Sequence, residues 1–355
     1  MREFYIHSEY DYTINEVKRM YKIIVDAFGG DNSPIANIEG SVDAINKIKD
    51  LYIILMGDEN IIKEELNKHK YDKSRLEVIH APSVISCDEN PTFATFHKKD
   101  SSLMMSLDKL KNDPEVSGLV SLSSTGALLV GGVIKIGKIK GVLRPACCPL
   151  LPTMNHEIVA VCDSGANVDC SKEELLQFAV MGSTYLKTAY NIESPRVALL
   201  NIGVEEIKGD NLRKETYPLL KESNLINFVG NMESRDLLSG KYDLVVADGF
   251  AGNVLIKATE GTSIELLKLL KKTFMSSFKN KLGAALLKSD IYKIKDFMDP
   301  NNYAGALLLG LNKIVIKGHG SSNARSVYES IKQAYYLAKN NFIEKLSNDI
   351  SEIVS

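Results

Sequence analysis

Clusters of glycine, serine, asparagine and aspartate recur along the sequence, each directly after a short apolar run. The first lies in residues 25–34, which read Val-Asp-Ala-Phe-Gly-Gly-Asp-Asn-Ser-Pro, and others occupy residues 121–126, 163–167, 248–253 and 318–323. Glycine lets the backbone turn sharply and approach a ligand. Hydroxyl, amide and free helix N–H groups bind anions. Together the clusters predict a site for an anion or another polar ligand.

The apolar runs that precede these clusters are short and continuous rather than alternating, as in residues 22–25 and 244–247. Such runs are typical of strands buried on both faces. Helical patterns lie between them, and one begins with a capping box from Ser171 to Glu174. This alternation predicts an α/β fold: a doubly wound, mostly parallel sheet with helices on both faces, a Rossmann-like three-layer sandwich. The carboxyl ends of parallel strands share one edge, so the polar clusters are expected along one rim.

Composition narrows the function classes. The 355 residues are 45% hydrophobic and 25% charged, with a formal net charge of −2, so no basic field predicts nucleic-acid binding. The five cysteines form no CxxC pair, so neither a zinc site nor a disulfide framework is expected, and a reducing, cytoplasmic compartment fits best. No stretch is long and apolar enough to span a membrane.

Residues 1–20 lack the apolar core of a signal peptide and are interpreted as an N-terminal extension, with Met20 a candidate natural start. Residues 21–345 are expected to form a single α/β domain. Two motifs resemble nucleotide-binding loops but are rejected. Residues 132–138 resemble a P-loop but are followed by Ile139 instead of Ser or Thr, and residues 318–323 have Asn323 where a dinucleotide loop needs glycine.

The order of the motifs resembles that of the PlsX family, the acyl-carrier-protein:phosphate acyltransferases of bacterial phospholipid synthesis. The resemblance runs from Lys22 to Ala338. The matching motifs are Asp26-Ala-Phe-Gly-Gly-Asp-Asn-Ser-Pro34, His97-Lys-Lys-Asp-Ser-Ser102, Ser124-Thr-Gly-Ala-Leu128, Arg144-Pro145, Gly165-Ala-Asn-Val-Asp169, Gln177-Phe-Ala-Val-Met-Gly182, Leu200-Asn-Ile-Gly203, Lys208-Gly209, Asn227-Phe-Val-Gly-Asn231, Asp248-Gly-Phe-Ala-Gly-Asn-Val254, Lys257, Glu260-Gly261 and His319-Gly-Ser-Ser322.

The sequence departs from the family pattern at three places. Ser121-Leu-Ser-Ser124 replaces the usual Ser-Ala-Gly-Asn, Asn32 replaces a histidine, and His97 stands where arginine is more common. A mechanism that needs a proton-transferring histidine at position 32 therefore does not apply to this chain.

The resemblance implies a reaction in which inorganic phosphate attacks the thioester of long-chain acyl carrier protein to give acyl phosphate and free carrier. It implies no cofactor and no metal. It also implies a homodimer in the cytoplasm that associates peripherally with membranes, and a product that a glycerol-3-phosphate acyltransferase consumes for phosphatidic acid synthesis.

This chemistry needs a cradle for phosphate, donors for the oxyanion and a proton for the leaving thiolate. A thiol has a pKa of ~8.5, so positioning and electrostatic stabilisation should dominate. The predicted catalytic residues are Lys208, Asn253, His319 and Asp248, with His319 as a proton carrier, Asn253 and Gly249 as oxyanion donors, and Asp248 orienting them or capping a helix. The predicted phosphate- and substrate-binding residues are Gly29, Gly30, Asp31, Asn32, Lys99, Ser123, Ser124, Thr125, Gly126, Gly249, Ser321 and Ser322.

Residues 255–300 are expected to form a protruding helical hairpin. Apolar residues recur there at every fourth position from Leu266 to Leu286, interleaved with lysines. That spacing drifts by about 40° per step around a straight helix, so either the helix breaks, near Gly283, or two partners bury its halves. The segment packs in a bundle or a dimer, or its tip at residues 274–287 contacts an anionic membrane surface.

Three other functions stay open at this stage. A related phosphotransacylase would act on coenzyme A thioesters and would need an adenine slot. A nicotinamide-dependent decarboxylating dehydrogenase would need a metal-binding acid cluster and a nucleotide loop. A non-catalytic membrane-associated scaffold would recruit a later acyltransferase, and the altered loop at residues 121–124 is compatible with it.

Overall fold

The computed structural model describes residues 19–86, 88–297, 299 and 303–354. Apart from Arg19 and Met20, the predicted N-terminal extension lies outside the described residues. The strands are β1 (Tyr21–Asp26), β2 (Leu51–Gly57), β3 (Leu76–His80), β4 (Val116–Ser121), β5 (Ala146–Cys148), β6 (Leu150–Pro152), β7 (Ile158–Cys162), β8 (Arg196–Asn201), β9 (Asn227–Glu233), β10 (Leu244–Val246), β11 (Ala306–Leu309) and β12 (Ile314–Lys317). The α-helices are α1 (Ile35–Lys47), α2 (Glu59–Leu66), α3 (Pro91–His97), α4 (Ser102–Asn112), α5 (Thr125–Lys135), α6 (Lys172–Tyr190), α7 (Asn211–Glu222), α8 (Gly249–Phe274), α9 (Phe278–Leu286), α10 (Lys288–Phe297), α11 (Ala324–Lys339) and α12 (Phe342–Val354).

The first sheet has the order β3-β2-β1-β4-β12-β11-β5. Its first five strands are parallel, and β11 and β5 pair antiparallel at the far edge. The central strands β1, β4 and β12 lie in register, because Leu119 of β4 pairs with Ile24 on one side and Val315 on the other. Their carboxyl ends, and the loops that follow, therefore come to one edge.

Helices cover both faces of the first sheet, as a doubly wound fold requires. Successive residues of β1 point to opposite faces: Ile23 packs in a core with Ile38 of α1, whereas Ile24 packs in another with Leu107 of α4. Both strand residues are fully buried. The predicted α/β class with a mostly parallel, doubly wound arrangement is confirmed.

The strands form two sheets where a single sheet was expected. The second sheet has the order β6-β7-β10-β8-β9 and is parallel except at β6. Pro149, which has no N–H to continue a ladder, separates β5 from β6. One continuous core contains Val25 of the first sheet, Phe178 of α6 and Val197 of the second sheet. The two sheets are therefore packed together, while α8 covers the other face of the second sheet through Leu255.

Helices α8, α9 and α10 form an exposed arm. From Lys257 to Ile294 no residue is buried. The helix break expected near Gly283 is wrong, because Gly283 lies inside α9. The long helix α8 ends instead at Phe274, and α9 begins at Phe278. The reason is local, because the Ser277 hydroxyl accepts the N–H of Asn280 at 3.1 Å and starts a new helix there. Within the described residues, no helix has the length and apolarity needed to cross a bilayer.

Candidate active site

The loops that follow β1, β4 and β12 are hydrogen-bonded into one structure, which we call the first-sheet rim (residues 26–34, 121–126 and 317–323). The buried carboxylate of Asp26 accepts hydrogen bonds from the hydroxyls of Ser121 at 2.8 Å and Ser123 at 2.6 Å. The Gly318 N–H donates to the Ser121 carbonyl at 2.9 Å. The exits of three adjacent strands are thereby fixed relative to one another.

Asp31 and Asn32 join the first and third loops of the rim. The Asp31 N–H donates to the Gly320 carbonyl at 2.7 Å. The Asn32 side-chain amide donates to the carbonyls of Ser321 and Ser322, each at 3.1 Å. The asparagine that replaces the family histidine therefore ties the loops together.

The adjacent glycines of the first loop allow this close packing. A Cβ atom on Gly29 would lie 2.7 Å from the Ser123 nitrogen. Gly30 has a φ of +88°, and a Cβ atom there would lie 2.9 Å from the Gly320 carbonyl oxygen. The two glycines let the backbones of three loops meet, and a side chain at either position would force them apart.

Of the two helices that begin at the rim without a side-chain cap, α1 starts after Pro34, which has no N–H to offer, so the N-terminus of α5 is the better candidate for an anion. Its N-cap residue, Ser124, makes no side-chain capping bond, and Thr125 and Gly126 are half-buried in the first turn. By contrast, α8 is capped by Asp248 and α11 by Asn323. An uncapped helix start presents unsatisfied N–H groups and the positive end of the helix dipole, which is how many proteins bind phosphate.

His319 faces the rim from the third loop. Its Nδ1 accepts the Ser321 N–H at 3.3 Å and contacts the Ser321 hydroxyl at 2.9 Å, an arrangement compatible with a proton on Nε2. Burial lowers the pKa of His319 below its ordinary value of 6.5, and the positive charge of Lys257 lowers it further. The ring is therefore neutral near pH 7.

Asn253 lies beside the loop that follows β7. A Cβ atom on Gly165 would be 3.6 Å from the Asn253 Cγ atom. Asn253, Lys257 and Glu260 share one face of α8, at helical spacings of four and three. Because Lys257 and Glu260 lie within electrostatic range of His319, this face of α8 reaches from the second-sheet loops to the first-sheet rim.

Asp163 positions this part of the site, and the sequence analysis assigned it no role. It is fully buried, and its carboxylate accepts backbone N–H groups from Cys147 at 2.9 Å, Ser164 at 2.6 Å and Asn167 at 2.7 Å. Burial raises the pKa of Asp163. Gly252 packs so closely that a Cβ atom on it would lie 1.9 Å from the Asp163 carbonyl oxygen. The sequence signal for Asp163 was its position directly after the apolar run of residues 158–162.

Asp248 and Gly249 stabilise the start of α8. The Asp248 carboxylate accepts the Ala251 N–H at 2.9 Å and also pairs with Arg213. The Gly249 N–H donates to the Asn167 carbonyl at 2.7 Å. Gly249 was expected to offer an oxyanion donor, but its N–H is already engaged by the packing of α8. Of the two oxyanion donors expected from the sequence, Gly249 and Asn253, only the side-chain amide of Asn253 remains a candidate.

The two lysines chosen from the sequence lie apart from the rim. Lys208 is exposed in the loop after β8, where its carbonyl accepts the Asn201 side-chain amide at 3.1 Å. Lys99 is exposed in the turn between α3 and α4. Within the described residues, neither lysine hydrogen-bonds to a residue of the rim.

One other cation, Lys317, lies at the rim, and a second, Lys257 of α8, lies within electrostatic range of His319. Lys317 donates to the Leu122 carbonyl at 3.3 Å, and Lys257 pairs with Glu260 at 2.8 Å. Sequence reasoning gave neither a role. The available signal for Lys317 was its position as the last residue of a buried strand, directly before Gly318.

The described cysteines do not favour thiol catalysis. Burial raises the pKa of Cys147 to about 12 and that of Cys170 to about 12, so both thiols are protonated near neutrality. Hydroxyl, amide and cationic groups therefore dominate the polar chemistry of this edge.

Comparison with known proteins agrees with the sequence resemblance. The family model described as "Fatty acid synthesis protein" matches residues 21–345. A phosphate acyltransferase of Clostridioides difficile is 39% identical over 331 residues, covering 93% of this chain and 96% of the relative. A phosphate acyltransferase of Clostridium perfringens is 44% identical over 331 residues, covering 93% of this chain and 97% of the relative.

A solved structure of a phosphotransacetylase from Streptococcus pyogenes has a similar fold. It superposes with a TM-score of 0.58 at 16% identity, over 90% of this chain and 96% of the other. At that identity the likeness shows the fold alone. From the family match and the sequence relatives, the chain belongs to the fatty acid synthesis protein family, the PlsX family of phosphate acyltransferases, and is an acyltransferase.

Proposed function

We propose that the protein transfers a long-chain acyl group from acyl carrier protein to inorganic phosphate. A phosphate oxygen forms a bond to the thioester carbonyl carbon, the C–S bond breaks, and the thiolate of the carrier takes up a proton. The products are acyl phosphate and free carrier protein. The observation that carries this proposal is the first-sheet rim, where three hydrogen-bonded loops surround the uncapped start of α5.

Phosphate is assigned to the N-terminus of α5. The hydroxyls of Ser124 and Thr125 and the first N–H groups of the helix offer neutral donors there. Lys317 supplies positive charge at the same rim, and Lys257 supplies it within electrostatic range of His319. The Asp26 carboxylate is buried and accepts bonds from the hydroxyls of Ser121 and Ser123, so it is assigned to shaping the loop.

The thioester carbonyl is assigned to the α8 side of the cleft, beside Asn253. A single lost oxyanion donor typically costs roughly 100- to 1000-fold in rate. Lys208 approaches from the loop after β8 as a cation for the tetrahedral intermediate. Neutral His319, with its proton on Nε2, is the candidate donor to the leaving thiolate, a modest task for a thiol of pKa ~8.5.

The exposed arm is assigned to a membrane surface and to association between two copies of the chain. Phe278 is 83% exposed and Leu286 is 81% exposed, and lysines lie between the apolar positions. Delivery of an acyl phosphate to a glycerol-3-phosphate acyltransferase at the membrane, for phosphatidic acid synthesis, follows from this assignment. Sedimentation with anionic vesicles tests it: Phe278→Glu should reduce the bound fraction, and equal binding of both proteins would remove the assignment.

The function is tested by mixing purified protein, palmitoyl acyl carrier protein and inorganic phosphate, and following release of the carrier thiol. Release that depends on both protein and phosphate is expected. Faster release from palmitoyl coenzyme A than from the carrier protein would favour a phosphotransacylase. No release from either donor by folded protein would favour a scaffold.

A further inference from the structure

A groove of about 700 Å³ opens at the carboxyl end of the second sheet. We call it the second-sheet groove. Its walls come from the segments that follow β7, β8, β9 and β10 and from the first turn of α8. Ligands of open α/β sheets bind in crevices at this position. Of the residues predicted from the sequence for the catalytic site, only Asp248 lines the groove, so the groove itself is not yet explained.

The mouth of the second-sheet groove carries large apolar side chains that face solvent. Val168 is 63% exposed, Ile202 is 80% exposed and Phe250 is 64% exposed. Leu200 and Leu212 line the groove deeper in the fold. Apolar side chains gathered at the mouth of a crevice mark a binding surface, because removing them from water is favourable.

The charges of the groove disfavour an anionic ligand. Three carboxylates line it, those of Asp169, Asp210 and Asp248. Its one lining cation, Arg213, is already paired with Asp210 at 3.0 Å and with Asp248. A phosphate-bearing nucleotide would therefore meet net negative charge, whereas an uncharged hydrocarbon meets apolar side chains and, at Asp210 and Asp248, carboxylates that are already paired with Arg213.

The groove is continuous with the place assigned to the thioester. Phe250 of the groove and Asn253 of the site lie three residues apart in the first turns of α8. Val168 of the groove follows Gly165, which packs beside Asn253, in one loop. A carbonyl held by Asn253 would have this groove directly next to it.

We propose that the second-sheet groove binds the hydrocarbon chain of the acyl donor, an inference that rests on the proposed function. The chain extends from the thioester carbonyl past Phe250 and Ile202 and lies against Leu200 and Leu212. Longer chains then bind more tightly, since the burial of each additional CH₂ group is favourable.

The test measures binding of butanoyl pantetheine and decanoyl pantetheine by calorimetry in phosphate-free buffer, so that no reaction occurs. Decanoyl pantetheine should bind more tightly to the wild-type protein. The double variant Phe250→Ala, Ile202→Ala should lose about tenfold or more in affinity for the decanoyl compound and change little for the butanoyl one. The matched control is Ile61→Ala, an exposed isoleucine of α2, which should leave both affinities unchanged.

These binding measurements test the groove assignment independently of the proposed acyl transfer. Equal affinity for the two chain lengths, or equal weakening of both by the double variant, would overturn it and would place the pantetheine arm in the groove. Melting temperatures of the variants exclude unfolding, which is not expected because both replaced side chains are exposed. If thiol release is absent but the affinity still depends on chain length and on Phe250, the groove assignment stands and the proposed reaction fails.

Discussion

The Asp26 carboxylate accepts a hydrogen bond from the Ser123 hydroxyl at 2.6 Å, across 97 residues of sequence. The bond joins the end of β1 to the loop after β4. Together with the bond from Ser121, it gives a role to the acid at the end of β1: the buried carboxylate is held by two serine hydroxyls and fixes the loops to one another.

Replacing Ser123 by alanine should weaken both the fold and phosphate binding. A hydrogen bond to a charged group contributes about 1.5–3 kcal/mol, and its loss leaves a buried carboxylate with one hydroxyl donor fewer. We expect the free energy of unfolding to fall by about that amount and the KM for phosphate to rise. Ser347→Ala, which removes a neutral bond to the Ile343 carbonyl in α12, is the control. An unchanged KM with unchanged stability would show that this bond does not organise the rim.

Two glycines of α8 give a matched pair of substitutions. Gly252→Ala would place a Cβ atom 1.9 Å from the Asp163 carbonyl oxygen, so we expect a loss of about 3 kcal/mol in unfolding free energy. Gly261→Ala meets nothing within 4 Å and should keep or raise stability, because alanine favours the helix by about 1 kcal/mol. Urea denaturation measures both. Equal stability of the two variants would contradict the close packing of α8 on the loop after β7.

The pKa of His319 should respond to Lys257. Burial lowers this pKa first and Lys257 second, so Lys257→Gln should raise it towards 6.5 in an NMR titration. Between the folded-state pKa and 6.5, the unfolded chain binds more protons than the folded one. The contribution of His319 to the free energy of unfolding is therefore complete above pH 6.5. It falls as the pH drops from 6.5 to the folded-state pKa, and it should fall by less in the variant. If the pKa of His319 stays the same or falls in the variant, the charge of Lys257 does not act on His319.

Lys208→Ala tests the loop after β8. The side chain is exposed, so the melting temperature should be nearly unchanged, whereas thiol release should fall by roughly 100-fold or more if Lys208 stabilises the oxyanion. Lys214→Ala, an equally exposed lysine of α7, should keep full activity. Retained activity in the Lys208 variant would shift the catalytic cation to Lys257 or Lys317.

The gathering of the polar strand exits at one edge could be predicted from the sequence, because the carboxyl ends of neighbouring parallel strands share an edge. The rim residues 29–32, 123–126 and 318–322 are brought together in the structure for that reason. The division into two sheets could not be predicted, since it depends on tertiary pairing. Before Pro149, β5 pairs with β11 of the first sheet, whereas after Pro149, β6 pairs with β7 of the second sheet.

The roles of single residues were less accessible. Whether the Gly249 N–H is free depends on Asn167, which reaches it only through tertiary packing. The bond of the Lys317 ammonium to the Leu122 carbonyl, in the loop after β4, depends on the pairing of β12 with β4, two strands distant in sequence. The break after Phe274 depends on the Ser277 cap, which the spacing of apolar residues from Leu266 to Leu286 does not show.

The central claim, that the N-terminus of α5 binds inorganic phosphate, is tested most directly by Thr125→Pro. Proline is well tolerated at the first position of a helix, and the ψ of 130° at Ser124 is one that a following proline allows, so we expect this change to remove one N–H and keep the fold. Thr125→Val, which removes only the hydroxyl, is the control. We expect the KM for phosphate in thiol release to rise about tenfold or more in Thr125→Pro at an unchanged Tm, and to rise less in the control. A wild-type KM for phosphate in folded Thr125→Pro would contradict the account.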